Sequence, residues 1–238
     1  MYKLYKSIRA SAVFVAAVLL IAFYALPSGA ATGCGPGTNS VSIQDNFNTG
    51  SLKQWQMPFS EDWKILQEGN LHYLHMERSR HPELPRHPVQ FARLKDVKVG
   101  SFTLNVKVRS GQHSMIVVFN YVDPVHFYYV HLSDVSGTKI SVHNGIFIVD
   151  GGPRRRIAGL EASPALPDHA WHDVRIVRDV QTGSIQIFLD NQTTPRFSVI
   201  DHTFTCGQVG LGSFDETGDF AQFRLRSHDA QQSGARKE

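Results

Sequence analysis

The sequence predicts an all-β protein, a two-sheet antiparallel sandwich of jelly-roll type. The stretch Trp171–Arg226 indicates this most strongly, because apolar residues alternate there with polar ones, the period of a half-buried strand. The alternating residues are Val174, Ile176, Ile185, Ile187 and Leu189. Thr182-Gly183 separates the first two runs as a hairpin turn, so we expect a β-meander here. Strand-like runs recur along the chain at roughly 8–12-residue spacing, and no segment has a helical period.

The leader has the three parts of a secretory signal peptide. Met1–Arg9 is basic, Ala10–Leu26 is an uncharged apolar run, and small residues follow up to Ala31. We expect residues 1–31 to be removed after Ala30 or Ala31, which gives a secreted, periplasmic or cell-envelope protein without a membrane anchor. An uncleaved membrane anchor and a lipid anchor on Cys34 are the alternatives.

The net charge bears on the kind of partner, and the cysteine content bears on a disulfide. Three of the 24 lysines and arginines lie in the leader, which has no acid, so the rest of the chain balances its 21 acidic residues. This composition does not favour nucleic acid. In an exported chain the two cysteines, Cys34 and Cys206, are expected to form a disulfide, which would exclude a lipid on Cys34.

The elements then follow in order. Residues 32–40 form a predicted linker, residues 41–226 one domain, and residues 227–238 a polar tail. Arg78–Pro88 is expected to be a loop, because its prolines forbid regular structure. The predicted strands before the meander are Val41–Phe47, Asp62–Gln67, Leu71–Met76, Val89–Leu94, Ser101–Arg109, Met115–Val122, His126–Leu132, Lys139–Val142, Ile146–Val149 and Arg154–Ile157. Gly207–Gly212 has GxxGxG spacing but no following helix, so it is interpreted as close-packed strand backbone.

Several short motifs resemble the concanavalin A-like lectin/glucanase domains. They are Asp45-Asn46-Phe47 with Gly50, Leu52 and Trp55, then Trp171–Arg175, Gly207–Leu211 and Asp219-Phe220. The middle, Phe127–Leu132 and His143–Val149, resembles exported bacterial members related to laminin-G-like and 3-keto-disaccharide hydrolase-like domains. The resemblance spans Asp45–Arg226 and implies a concanavalin A-like fold. It says little about activity, because these motifs are structural.

The resemblance also implies what to look for in a site. Glucanases of this fold carry a Glu-x-Asp-x-Glu or Glu-x-Asp-x-x-Glu triplet on one strand, and no such triplet occurs here. The nearest acidic cluster is Asp215-Glu216 with Asp219, at a turn. Many members of the superfamily hold a structural calcium near the first and last strands, so Asp45 and Asp219 are its candidate ligands.

The face of the sheet that points away from the core is the predicted ligand site. Alternation places Tyr129 and His131 opposite Tyr128 and Val130, and rings, imidazoles, amides and guanidinium groups are the groups that hold sugars. The full predicted set is Arg109, Asn120, Tyr129, His131, His143, Asn144 and Arg154. An ordinary solvated sheet face is the structural alternative.

Three functions stay open on these grounds. The favoured one is an exported carbohydrate-binding, lectin-like domain that binds an oligo- or polysaccharide on its concave sheet face. The second is a glycan-active hydrolase or lyase with the same fold, with His131 or His143 and Tyr129 as candidate proton-transfer groups. The third is a laminin-G-like protein-interaction domain.

Overall fold

The computed structural model describes residues 31–35, 40–80, 84–134, 143–159 and 164–228. In these residues the chain forms seventeen strands and one short 3₁₀ helix, Ser60–Asp62. The strands are β1 (Ala31–Gly33), β2 (Ser42–Asp45), β3 (Trp55–Gln56), β4 (Trp63–Glu68), β5 (Leu71–Met76), β6 (Gln90–Leu94), β7 (Val97–Val99), β8 (Phe102–Ser110), β9 (Ser114–Asp123), β10 (His126–Ser133), β11 (Gly145–Asp150), β12 (Arg155–Ala158), β13 (His172–Arg178), β14 (Ser184–Leu189), β15 (Phe197–Ile200), β16 (Gln208–Ser213) and β17 (Gly218–Ser227). The described helical segments include none long and apolar enough to cross a membrane.

Two antiparallel sheets form a sandwich, which confirms the predicted fold class. The seven-stranded sheet has the order β12-β11-β10-β9-β16-β6-β3, and the eight-stranded sheet has the order β15-β14-β13-β8-β17-β5-β4, with β2 paired to β17. Strand β8 shows how the sequence builds them: Phe102, Leu104, Val106 and Val108 are buried between the sheets, while the residues between them point outward. Burial of one such face against another is what holds a sandwich together.

The expected meander is correct only for β13, β14 and β15, which are consecutive neighbours in the eight-stranded sheet. After β15 the chain crosses over, and β16 pairs with β6 and β9 in the seven-stranded sheet. Strand β17 then returns to pair with β8, β5 and β2. Alternation shows which residues face inward but does not identify the sheet that a strand joins, and this is why the prediction fails here.

Two expectations at the chain ends differ from the structure. Strand β1 (Ala31–Gly33) crosses the boundary between the predicted signal peptide, residues 1–31, and the predicted linker, residues 32–40. It pairs in parallel with β7, and the Cys34–Cys206 disulfide follows directly. Ser227, assigned to the tail, ends β17, and its hydroxyl accepts a hydrogen bond from the backbone N–H of Val41 at 2.6 Å. The leader before residue 31, the predicted strand Lys139–Val142 and the tail after residue 228 lie outside the described residues.

The confirmed disulfide joins β1 to the segment that carries the chain from β15 to β16. Its Cα–Cα distance is 5.4 Å, within the normal range. The bond uses the sulfur that a lipid on Cys34 would need, so the structure and the lipid-anchor alternative exclude each other. The glycine-rich strand β16 is close-packed as expected: a Cβ on Gly212 would lie 2.3 Å from the carbonyl oxygen of Gln90.

Candidate functional site

The predicted residues on β10 do point away from the core. Tyr128 and Val130 face the other sheet, while Tyr129 and His131 face outward, as alternation requires. This outer face is nevertheless buried, and its own outward side chains form a second apolar cluster. The cluster consists of Phe91, Ile116, Val118, Tyr121, Phe127, Tyr129, Phe147 and Val149. The seven-stranded sheet is therefore apolar on both sides, and Tyr129 and His131 have no exposed surface.

Side chains from several connections cover this face. The His87 ring lies edge-on to Phe127 at 6.1 Å, and the carbonyl oxygen of Arg86 accepts a hydrogen bond from the backbone N–H of Arg154. The guanidinium group of Arg154 lies 4.0 Å above the ring of Phe214 and donates to the hydroxyl of Tyr129 at 3.3 Å. Burial raises the pKa of Tyr129, so this hydroxyl stays neutral. Arg86, His87, Arg154 and Phe214 are called the cover below.

Three more of the predicted residues lie at this face beside Tyr129 and His131. His131 is held between two parallel rings, with His143 at 5.4 Å and Phe214 at 5.9 Å. Arg154 belongs to the cover, and Asn144 is buried at the start of β11. The structure thus brings together Tyr129, His131, His143, Asn144 and Arg154, but most of this group is a buried floor and not an open ligand platform.

Asn120 lies elsewhere because β9 contains a bulge. Asn120 has a φ of 43°, and between Gln208 and Gly210 the register of β16 against β9 shifts. The alternation therefore breaks, and the Asn120 amide turns into the interior. There it donates to the carbonyl of Val99 at 3.0 Å and accepts from the buried guanidinium of Arg178.

Arg109 lies on the other sheet. Strands β8 and β9 follow each other in the chain, but β8 pairs with β13 and β17, so its outward side chains belong to the eight-stranded sheet. The guanidinium of Arg109 lies 4.4 Å above the ring of Trp171 and donates to Asp219 at 2.7 Å and Glu68 at 2.8 Å. The expectation that Arg109 shares a face with Tyr129 is therefore wrong.

Next to the buried floor is an open cleft of about 570 Å³, the histidine cleft. It is bordered by connections between strands, and its lining residues include Ser79, Gly111, Gln112, His113, His143, His169, Asp215 and Glu216. Only His143 of these belongs to the predicted site set. Histidines far apart in sequence, on loops without periodicity, gave no signal that they converge.

Polar contacts orient two of the rings of this cleft, those of His113 and His169. Asp134 joins them: the Nδ1 of His113 is 3.2 Å from its Oδ1, and the Nε2 of His169 is 3.6 Å from its Oδ2. The Nδ1–H of His169 donates to the carbonyl of Ser110 at 3.1 Å. Both rings are more than half exposed, so they offer faces and edges to a ligand while their orientation is fixed.

A buried polar chain leads from the cleft into the floor. Glu216 accepts the backbone N–H of His113 at 3.0 Å, and it also interacts with the hydroxyl of Ser114. That hydroxyl lies 2.8 Å from the Nε2 of His131. Burial raises the pKa of Glu216 above its ordinary value, and burial lowers that of His131 well below its own, with the positive Arg154 acting in the same direction. The His131 ring is therefore neutral and Glu216 takes up a proton more readily than an exposed glutamate.

The predicted calcium ligands do not fit a cation site. Asp45 accepts hydrogen bonds from the backbone N–H of Phe47 at 2.7 Å, the indole of Trp55 at 2.8 Å, and the amide of Gln54. Asp219 is bonded to His75 and Arg109. These oxygens face N–H donors where calcium would need several converging oxygens. In the described ranges no three His, Cys, Asp or Glu side chains come together as a possible metal site.

Comparison with known proteins identifies the fold alone. No protein family and no curated protein matches the sequence. Among solved structures, the carbohydrate-binding module CBM66 from Bacillus subtilis is similar with a TM-score of 0.53 and 15% identity over 73% of this chain and 96% of that one. The GH43 protein BlXynB of Bacillus licheniformis is similar with a TM-score of 0.52 and 13% identity, over 78% of this chain and 39% of that longer one. The chain therefore has a sandwich fold shared by carbohydrate-binding and glycosidase structures, without assignment to one superfamily.

Proposed function

We propose that this protein is exported and binds an oligo- or polysaccharide in the histidine cleft. The observation that carries the proposal is the convergence of imidazole, amide and carboxylate groups on an open cleft whose rings are oriented by Asp134. Sugars present hydroxyl groups that need planar donors and acceptors, together with C–H faces that pack on rings. The fold is one that solved carbohydrate-binding structures also use, and the disulfide is consistent with an oxidising compartment.

In this proposal the predicted residues act in two layers. His143 contributes to the surface of the cleft, His131, Tyr129 and Asn144 form the packed floor beneath it, and Arg154 belongs to the cover over that floor. Sugar would contact His113, His169, Gln112 and the acidic pair Asp215-Glu216. A floor without exposed surface holds the ring positions rigid, which lowers the ordering cost of binding.

A polysaccharide panel tests the proposal, with retention of the protein as the readout. The double variant His113→Ala/His169→Ala should lower affinity for a retained glycan about tenfold or more, since each ring contributes about 1 kcal/mol or more. His202→Ala removes an exposed imidazole outside the cleft and is the matched control. Equal retention of the double variant and the control would contradict the assignment of the cleft.

A second candidate function, glycan hydrolysis or lyase chemistry, is favoured by one observation. Glu216 is a buried carboxyl with a raised pKa at the edge of the cleft, the condition under which a carboxylic acid can donate a proton near neutral pH. The same panel therefore includes an assay for new reducing or unsaturated ends. If product appears with the wild type and is lost in Glu216→Gln while retention persists, the protein is an enzyme. Retention without product leaves the binding function.

A further inference from the structure

The outer face of the eight-stranded sheet carries a row of cationic and amide side chains that the histidine cleft does not use. Arg224 on β17 pairs with Asn105 on β8, and Asn105 pairs with Arg175 on β13. A second row beside it pairs Arg226 with Thr103. All of these residues line a groove of about 550 Å³. The groove lies on a different sheet from the buried floor, so the two surfaces are separate.

The spacing of the Cα atoms of the three arginines follows from the sheet. Arg224 and Arg175 are two strands apart, about 9–10 Å, and Arg224 and Arg226 are two residues apart on one strand, about 7 Å. Arg224 and Arg226 are exposed, and the guanidinium carbon of Arg175 lies over the ring of Phe188, 3.7 Å from its centroid. Arg175 is thus held in place, while the two arginines of β17 extend towards solvent.

The acids of the groove are occupied by other groups. Asp173 accepts from Lys107 at 3.0 Å, and Asp190 accepts from the backbone N–H of Asp173 and lies 3.1 Å from the Nδ1 of His172. Over the ranges that the structure describes, none of Arg175, Arg224 and Arg226 forms an ion pair with a carboxylate. The groove therefore has three guanidinium groups available to an anion, although the chain without its leader has balanced charge.

We propose that this groove, the arginine groove, binds an acidic polysaccharide through its carboxylate or sulfate groups. Guanidinium groups match both anions with paired N–H donors, and Asn105 between them offers an amide to a sugar hydroxyl. A polymer with repeated anionic groups can contact Arg175, Arg224 and Arg226 at once, which a single small anion cannot.

Two other polyanions fit the surface less well. Bases of single-stranded nucleic acid need exposed aromatic rings on which to stack, and the Phe188 ring at the groove is covered by Arg175. A membrane would need apolar side chains to insert beside the charges, and the exposed large apolar residues found in the described chain are Leu66, Leu84, Val122 and Ile200, none of which lines the groove. The chemistry of the groove therefore favours a polar, anionic chain.

The test measures binding of polygalacturonate and of dextran sulfate at low salt, with neutral dextran as the uncharged reference. The double variant Arg224→Gln/Arg226→Gln should lower affinity for at least one of the two acidic polymers by about tenfold or more, and added salt should weaken wild-type binding. The polymer that responds distinguishes carboxylate from sulfate. Arg224→Lys/Arg226→Lys keeps the charge and loses the paired donors, so it should give an intermediate affinity.

Matched variants separate this proposal from the one for the cleft. Arg155→Gln/Lys98→Gln removes two exposed charges outside the groove and should bind like the wild type. His113→Ala/His169→Ala should also leave acidic-polymer binding unchanged, whatever it does to binding of neutral glycans. Binding by the Gln double variant at wild-type affinity would overturn the proposal. Tighter binding of an oligonucleotide with the same dependence on Arg224 and Arg226 would overturn it in favour of nucleic acid.

Discussion

The two sheets have opposite outer faces. The seven-stranded sheet presents Phe127, Tyr129 and Phe147 outward, and these rings lie under the cover formed by Arg86, His87, Arg154 and Phe214. The eight-stranded sheet presents charged and amide side chains outward, and its arginine groove is open to solvent. The seven-stranded sheet is thus packed on both faces, whereas the eight-stranded sheet is packed on its inner face and open to solvent on its outer face.

This difference shows that the core of the molecule has two layers. The first layer lies between the sheets, and the second lies outside the seven-stranded sheet. The histidine cleft borders the second layer, so its rings rest on a rigid apolar base. The arginine groove rests on a single sheet, and of its three arginines only Arg175 packs on a ring, that of Phe188. The cleft is therefore the better ordered of the two surfaces.

The largest effect should come from truncating the second apolar layer. Phe127→Ala removes a ring with no exposed surface that contacts the rings of His87, Phe91, Tyr121 and Tyr129, and we expect the free energy of unfolding to fall by about 3–5 kcal/mol. Denaturant unfolding followed by fluorescence measures it.

Asn105 is an outward residue of the eight-stranded sheet, and Asn105→Ala is the variant to compare with Phe127→Ala. The Asn105 side chain is exposed, so its loss should change stability by no more than about 0.5 kcal/mol. A similar small loss for both variants would mean that the outer face of the seven-stranded sheet is not a packed layer.

A smaller difference is expected between two ion pairs, one with a buried aspartate and one with an exposed aspartate. Asp62 has no exposed surface, and it accepts hydrogen bonds from Arg80 at 3.0 Å and from Gln90 at 2.8 Å, which ties the start of the covering loop to β6. Asp62→Asn leaves these donors without their anion and should cost about 3 kcal/mol.

Asp173 pairs with Lys107 at the same distance of 3.0 Å, but its side chain is 60% exposed. Asp173→Asn should therefore cost about 0.5 kcal/mol or less, since water screens the pair. Thermal unfolding of the two variants side by side gives the comparison. Equal shifts in Tm would show that burial does not distinguish them.

A feature of this fold can be predicted only where the sequence contains a local pattern that encodes it. Alternation on β8 and β10 predicts which residues face inward, and both predictions are confirmed, because period-2 patterning is a direct consequence of strand geometry. Phe127 and Tyr129 show the limit of that signal. Alternation alone does not show that this outward face is covered. The continuous apolar runs Met115–Phe119 and Ile146–Val149 are, however, typical of strands buried on both faces, and they are the signal that could have indicated the second apolar layer.

The site was less predictable than the fold. Alternation fails to place Asn120 because a bulge shifts it by one residue, and it fails to place Arg109 because β8 and β9 join different sheets. His113 and His169 come together through loops, where no period links sequence to position. The order of the strands in the two sheets and the course of the loops depend on contacts between residues far apart in the chain, and no local pattern in the sequence encodes these contacts.

The smallest effect concerns the pH dependence of stability at the buried floor. Burial holds the pKa of His131 well below 6.5, so the folded protein keeps this ring neutral where the unfolded chain protonates it. The unfolded state then binds more protons, and the free energy of unfolding should fall with decreasing pH below about 6.5, by at most about 1.4 kcal/mol per pH unit. The raised pKa of Glu216 acts in the opposite direction, since the folded state takes up that proton first.

The variant His131→Gln separates the two contributions, because it removes the titrating ring and leaves Glu216. Its unfolding free energy, measured from pH 8 down to 5 (about one and a half units to either side of 6.5), should depend less on pH than that of the wild type. Asn105→Ala changes an untitratable side chain on the open face of the other sheet and should keep the wild-type slope. If His131→Gln keeps that slope as well, His131 takes up its proton in the folded protein as it does in the unfolded chain. Water would then reach this ring, which contradicts the packing of Phe214 and His143 against it.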